Sequence, residues 1–177
     1  MKEFIKMKYG RYNGNTLPEI LFKDPNWFFD EFESNSFRIE SDELQKEADD
    51  IFILAKSINI PNDEYQIQEV VYLFLPSNER LAFIDFLDPY NLVTNLSRDL
   101  LFERTKYIDL SILHGLGNYN KTCIVKLLSY VKQYVWGSKL YNPSRQDCDE
   151  FFDNEDNFTP NNKKQVSERP SEDFEFA

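Results

Sequence analysis

Histidine occurs once in this chain, cysteine twice and glycine five times among 177 residues. Each shortage excludes something. A single histidine, His114, leaves no His pair for a metal centre. No acid or nucleophile stands at a diagnostic spacing from it, so a surface or turn imidazole is the simpler reading. Cys123 and Cys148 lie far apart and match no zinc spacing, and they read as reduced thiols. Few glycines leave no phosphate loop and no dinucleotide fingerprint, and no serine elbow is present. No hydrophobic run approaches the roughly 18 to 20 residues of a membrane span. "IFILAKSINI" is too short and too interrupted. The start, "MKEFIKMKYG", has no apolar signal core. These absences predict a cytoplasmic protein without a membrane partner, a metal or a cofactor.

What is abundant is aromatic and acidic. Sixteen Phe and ten Tyr help bring the hydrophobic fraction to 41%, enough for a substantial core. The net charge of −11 argues against a general DNA-coating protein, but the charge is unevenly spread. Residues 1–18 carry Lys2, Lys6, Lys8 and Arg11 against Glu3. Residues 19–50 hold eleven acids and three bases, and residues 147–177 hold ten acids and three bases. The stretch between them is nearly balanced. A solvated acidic face with an acidic tail accounts for this in the plainest way.

Local patterns predict an α+β fold. Residues 4–17 read as a β-hairpin around Asn13-Gly14, with Gly10 at a bulge. A helical turn over Pro18–Phe22 follows. Asp24 then caps a helix through Glu33, with Pro25 at its first position. Residues 34–36 form a linker. Ser41 caps a second helix on which Leu44, Ala48 and Ile51 keep helical spacing; after Asp50 the period is lost, and "IFILAKSINIP" could continue the helix or become a buried strand, its later part tilting toward strand. Residues 65–75 and 81–87 form an antiparallel pair. Residues 95–104 read as a short helix or surface loop, and 107–113 as a strand. Lys121–Trp136 is the strongest helix, with Ile124, Leu127, Leu128, Val131 and Val135 on one face and Gly137 beyond its end. Ser144 caps a last short helix. From Asp153 the composition predicts a disordered acidic tail, with order in its first part as the alternative, since "CDEFFDNEDNF" sets Phe151 and Phe152 beside a capped helix.

Three clusters could carry chemistry. Asp85 and Asp88 end a strand and could hold Mg²⁺, although an outward position and an Asp-Pro turn explain them more simply. Between 104 and 139, Arg104, Lys106, Lys121, Lys126, Lys132 and Lys139 face a single acid, Asp109. Lys121, Lys132 and Lys139 share one side of the helix and its exit, with Tyr119, Tyr130 and Tyr134 interleaved. Cations among aromatics suit phosphates and bases, while an ordinary polar helix face would look similar. The third cluster is the tail, whose Phe174 and Phe176 among acids could address a basic partner.

The residues Tyr9-Gly10-Arg11-Tyr12, Gly14, Leu17, Glu19-Ile20, Asp24-Pro25 and Trp27-Phe28 follow one another in a recognisable order. Over about residues 5–33 this stretch resembles the small C-terminal module of exodeoxyribonuclease X and of related short bacterial and phage proteins. The resemblance implies a module at 1–33, while the remainder, which resembles no characterised family, reads from its own patterns as an α+β domain at 34–152 followed by the acidic tail at 153–177. It implies a DNA-processing setting in a bacterium, phage or mobile element. It carries no catalytic residue, because the acidic residues of that exonuclease belong to a separate nuclease domain. Lys8, Tyr9, Arg11 and Tyr12 are the contact residues it suggests, although Tyr9, Tyr12 and Trp27 would equally serve as a small core.

The leading expectation is a non-enzymatic accessory protein that touches DNA or RNA through Lys8, Tyr9, Arg11, Tyr12, Lys121, Lys132 and Lys139. Its tail would engage a partner through Phe174 and Phe176. The first alternative is an acidic inhibitor or DNA mimic, and the second is a metal-dependent nuclease with acids drawn from distant segments.

Overall fold

The structure, a computed structural model, describes residues 2–60, 69–75, 80–87, 101–114 and 120–159. The hairpin expected at 4–17 reduces to one antiparallel bridge, Lys6 with Thr16. Above it, Met7 N–H donates to the Asn15 carbonyl at 2.9 Å and Gly14 N–H to the Met7 carbonyl at 2.8 Å. Asn13 and Gly14 do sit at the centre of a turn, closed from Asn15 N–H to the Tyr12 carbonyl. Only Gly14 of the two has positive φ, at 84°. A strand-joining type I′ turn needs positive φ at both positions. The first segment has another reason not to pair as a strand. Its Ile5 and Lys8 N–H groups donate to the carboxylates of Glu47 and Glu40.

Four helices follow: α1 Leu17–Lys23, α2 Pro25–Glu33, α3 Ser36–Glu40 and α4 Asp42–Ala55. Asp24 caps α2 as the pattern predicts, its side chain accepting the Trp27 N–H at 3.2 Å. The linker expected at 34–36 is shorter. Asn35 turns the chain with φ of 55°, and α3 begins at Ser36 and buries Phe37. Ser41 caps α4 by accepting the Leu44 N–H. The helical period does not stop at Asp50. Leu44, Ala48, Ile51 and Ala55 are all buried on one stripe, so α4 continues to Ala55. Strand β1 is only Ile58–Asn59.

The antiparallel pair is present as β2 Glu69–Leu75 and β3 Arg80–Leu87. Residues 65–68 lie outside the described residues. The helix or loop expected over 95–104 is corrected for its end. Leu101–Thr105 is strand β4, antiparallel to the other edge of β2. Five residues show too little alternation to announce a strand, whereas β2, with Val70, Val71, Tyr72 and Leu73 buried, takes partners on both edges. The strand expected at 107–113 divides. Tyr107–Ile108 is β5, paired with β1. Leu110–Leu113 is a 3-10 turn whose Asp109 side chain accepts the Ser111 N–H at 2.8 Å.

Helix α5, Lys121–Trp136, has the predicted bounds. Asn120 caps its start, and left-handed Gly137 ends it. Cys123, Leu127, Leu128 and Val131 are buried, with Ile124 and Val135 packed at the edge of the core. Ser144 and Asp147 form a reciprocal capping box on α6, Arg145–Asp153.

The tail does not begin at 153. Phe158 is 5% exposed, packs on Phe151 and Phe152, and bridges to Ile58. Thr159 N–H donates to the Ser57 carbonyl at 2.8 Å. An isolated Phe among acids looks unstructured in sequence, but this one fills a site made by residues a hundred positions away. Phe174 and Phe176 lie outside the described residues.

Helices and a small antiparallel sheet make this an α+β protein. Its core runs from Phe4 to Phe158. Phe22 of α1 has ring neighbours in α5 and α6: Trp136 at 5.2 Å, Phe151 at 5.5 Å and Phe152 at 6.1 Å. The N-terminal residues are therefore packed directly on the C-terminal helix.

Candidate nucleic-acid interface

The N-terminal loop presents its predicted contact residues unequally. Tyr9 is 69% exposed, and the Lys8 side chain is at the surface. Arg11 and Tyr12 instead turn to one acid. Arg11 Nη1 lies 3.2 Å from Asp24 Oδ2, and Tyr12 Oη donates to the same oxygen at 2.8 Å. Arg11 also rests over the Tyr12 ring, which meets Trp27 edge-on at 4.7 Å. Burial, then the Asp24 hydrogen bond, pushes the Tyr12 phenol up to about 12. Of the two predicted roles for Tyr12, packing is the one with visible contacts.

Beneath this loop, carboxylates secure the N-terminal segment. Glu47, 6% exposed, accepts the Ile5 N–H with both oxygens, and burial raises its carboxyl above the usual range. Thr16 donates to Asp149 at 2.7 Å. Glu19 receives Lys23 at 2.6 Å and Arg145 at 3.2 Å. Burial works to raise Glu19, but hydrogen bonds from Lys23, Asn15 and Arg145 outweigh it and hold the carboxyl low. A cleft beside these groups is lined by Lys2, Lys6, Thr16, Arg145 and Asp149. Of its charges, Arg145 is paired with Glu19, Lys2 with Asp50, and Asp149 accepts from Thr16.

His114 also has partners that sequence spacing concealed. Its Nε2 lies 3.0 Å from Asp30 and its Nδ1 3.3 Å from Glu33, both on α2. The imidazole thus links the 3-10 turn to α2, with a carboxylate on each nitrogen. Among the described residues, no group of three His, Cys, Asp or Glu side chains is arranged to hold a metal. The Asp85 backbone pairs with Val71, and Asp88 lies outside the described residues. Cys123 and Cys148 are buried free thiols, with Cys148 pushed up to about 12 by burial and neighbouring acids. No helix among the described residues is long and apolar enough to cross a membrane.

Helix α5 and its exit differ from these self-satisfied clusters. From Lys121 to Tyr141 the sequence has four lysines and no acid. Lys121 is exposed, Lys132 is half-buried, and Val125 on the same side is 66% exposed. Lys139 does not follow the helical angle, because Gly137 has already ended the helix. It folds back so that its Nζ lies 4.2 Å from the Tyr130 ring centre. Beyond it, Leu140 is 93% exposed. Tyr141 stacks on Trp136, with ring centres 5.4 Å apart and planes 25° from parallel.

The two predicted contact groups therefore have separate surroundings. Arg11 and Tyr12 meet Asp24 at the start of α2 and the Lys8 N–H meets Glu40 of α3, whereas Lys139 rests on Tyr130 of α5. Trp136, Leu140 and Tyr141 were missed as candidates. Their signal was "YVWGSKLY", where large side chains continue past the glycine that stops a helical count. Comparisons with protein-family models, curated proteins and solved structures found no match.

Proposed function

We propose that this chain is a non-enzymatic, nucleic-acid-associated accessory protein whose contact surface is α5 and its exit, from Lys121 to Tyr141. The observation that carries the reading is the run of four lysines without an acid, ending in the Lys139–Tyr130 contact and the Trp136–Tyr141 stack. Lysines supply phosphate attraction, and aromatic faces supply contact with bases. In a chain of net charge −11 such a segment is a local exception, so the contact is confined rather than spread over the surface. The resemblance of residues 5–33 to the exodeoxyribonuclease X module adds a DNA-processing setting in the cytoplasm of a bacterium or in a phage or mobile element. Lys8 and Tyr9 are then an auxiliary contact. The segment around Phe174 and Phe176 remains the proposed docking peptide for a protein partner.

The DNA-mimic alternative has less support. A mimic needs its acids facing outward. In the 19–50 block, Glu19 and Glu47 are buried on internal partners, and Asp24 is turned to Arg11 and Tyr12.

The test is binding of a fluorescent oligonucleotide by the full chain at two salt concentrations. Salt-sensitive binding is expected, with a weaker salt dependence in the Lys121→Gln, Lys132→Gln, Lys139→Gln triple variant. Each lost phosphate contact lowers the logarithmic slope by about 0.7 to 0.9. Absence of salt-sensitive binding would overturn the proposal.

A further inference from the structure

We infer that the α5 exit is a stacking site for an unpaired base, so that the ligand is single-stranded nucleic acid rather than a duplex. The inference rests on the nucleic-acid reading above and narrows it.

The site is built outward from the core in three layers. Phe22 and Phe151 hold the edges of Trp136 at 5.2 and 6.1 Å. Trp136 in turn supports Tyr141 in a near-parallel stack. Tyr141 Oη donates to Asp147 at 3.1 Å, which fixes the ring a second time. Asp147 is itself held by the backbone and side chain of Ser144. Tyr141 is 37% exposed despite these supports. An exposed aromatic anchored at its hydroxyl and on one face is already ordered, so a base stacking on it loses little further side-chain freedom.

The charges match such a ligand. Lys139 lies two residues before Tyr141, and Lys132 lies on α5 four residues before Trp136. Asp147 is the acid nearest Tyr141 in the described contacts, and its Oδ2 is occupied by Tyr141 Oη and by the Ser144 N–H and hydroxyl. One aromatic platform with lysines close to it in the chain suits a strand whose bases are open and whose backbone meets the cations. A duplex offers phosphates but keeps its base faces stacked inside. It would gain from the lysines alone. Leu140, 93% exposed beside the platform, adds apolar contact for a base or sugar and nothing for phosphate.

The experiment compares labelled single-stranded and hairpin-duplex DNA of equal length, binding to the full chain and to Tyr141→Ala and Tyr141→Phe. Tighter binding of the single strand is expected. Tyr141→Ala should weaken it about 5- to 100-fold, the scale of one base stack. Duplex binding should stay unchanged, and Tyr141→Phe should retain most of the affinity. Unfolding midpoints of the variants separate lost stacking from lost structure. Equal or tighter duplex binding overturns the inference while leaving the nucleic-acid reading standing. So does an unchanged single-strand affinity in a folded Tyr141→Ala protein, which would assign the exposed ring to another occupant such as the 160–177 segment. Failure to bind either form overturns both.

Discussion

Glu19 and Arg145 meet at 3.2 Å although 126 residues separate them in sequence. The contact joins α1 to α6 above the layer where Phe22 packs on Phe151 and Phe152. Glu19 also holds Lys23, so one nearly buried carboxylate pairs with two half-exposed cations.

Replacing Glu19 by Gln should destabilise the fold by about 2 kcal/mol at neutral pH, since charge-assisted hydrogen bonds are lost from a buried acceptor. The Glu19 carboxyl is held below its usual range in the fold. Its contribution is therefore present above the ordinary glutamate value and lost as pH falls through the lowered folded value. Urea unfolding across the acid range should show the variant and the natural protein converging toward low pH.

Asp24 serves three partners: the Trp27 N–H, Arg11 and Tyr12. Asp24→Ala should cost about 1 to 2 kcal/mol, mostly through the lost helix cap. Asp24→Asn should recover much of that. In both variants the Tyr12 phenol should titrate below its present value of about 12, though still above an ordinary tyrosine, because burial is the larger cause and remains. Ultraviolet titration of the phenol reads the shift.

Glu47 gives the opposite pH dependence. Burial raises its carboxyl, against the Ile5 N–H that favours the anion. A raised folded value means that the stabilising contribution is complete below the ordinary glutamate range and is lost as pH rises through the folded value. Glu47→Gln keeps an acceptor for Ile5 and removes the titration. The variant should gain on the natural protein in urea midpoint as pH rises from about 4 toward 7.

Phe158 marks the end of the described packing. Phe158→Ala should cost about 3 kcal/mol or more, the usual result of emptying a buried aromatic site. Truncation after residue 152 should cost at least as much. Truncation after Thr159 should cost less than truncation after residue 152, since it keeps the Phe158 and Thr159 contacts.

Legibility followed the range of the determining forces. Caps are set within three or four residues, so Asp24, Ser41 and Ser144 mark helix starts in a way that local spacing can reveal. The long stripe of α5 and the β2–β3 pair were equally plain. The short elements α3 and β4 were not, because five residues hold too few positions to display a period. Phe158, Glu19 and His114 depend on partners from distant segments, which spacing along one chain does not disclose. At the candidate interface the lysines were legible as composition. The Trp136–Tyr141 platform required knowing how the chain turns after Gly137.

Strand β1 has a consequence for the order of folding. Ile58 pairs with Ile108 on one side and bridges to Phe158 on the other. Three segments about fifty residues apart thus meet at one residue. Contacts of such long sequence separation bring a large loop-closure cost before they contribute stability, which slows folding. During synthesis, the helices of the first third can form locally, but the site around Ile58 cannot close until Phe158 has been made. Until then Ile58, Phe151 and Phe152 lack their final covering, and the unfinished chain is most exposed to aggregation at that point.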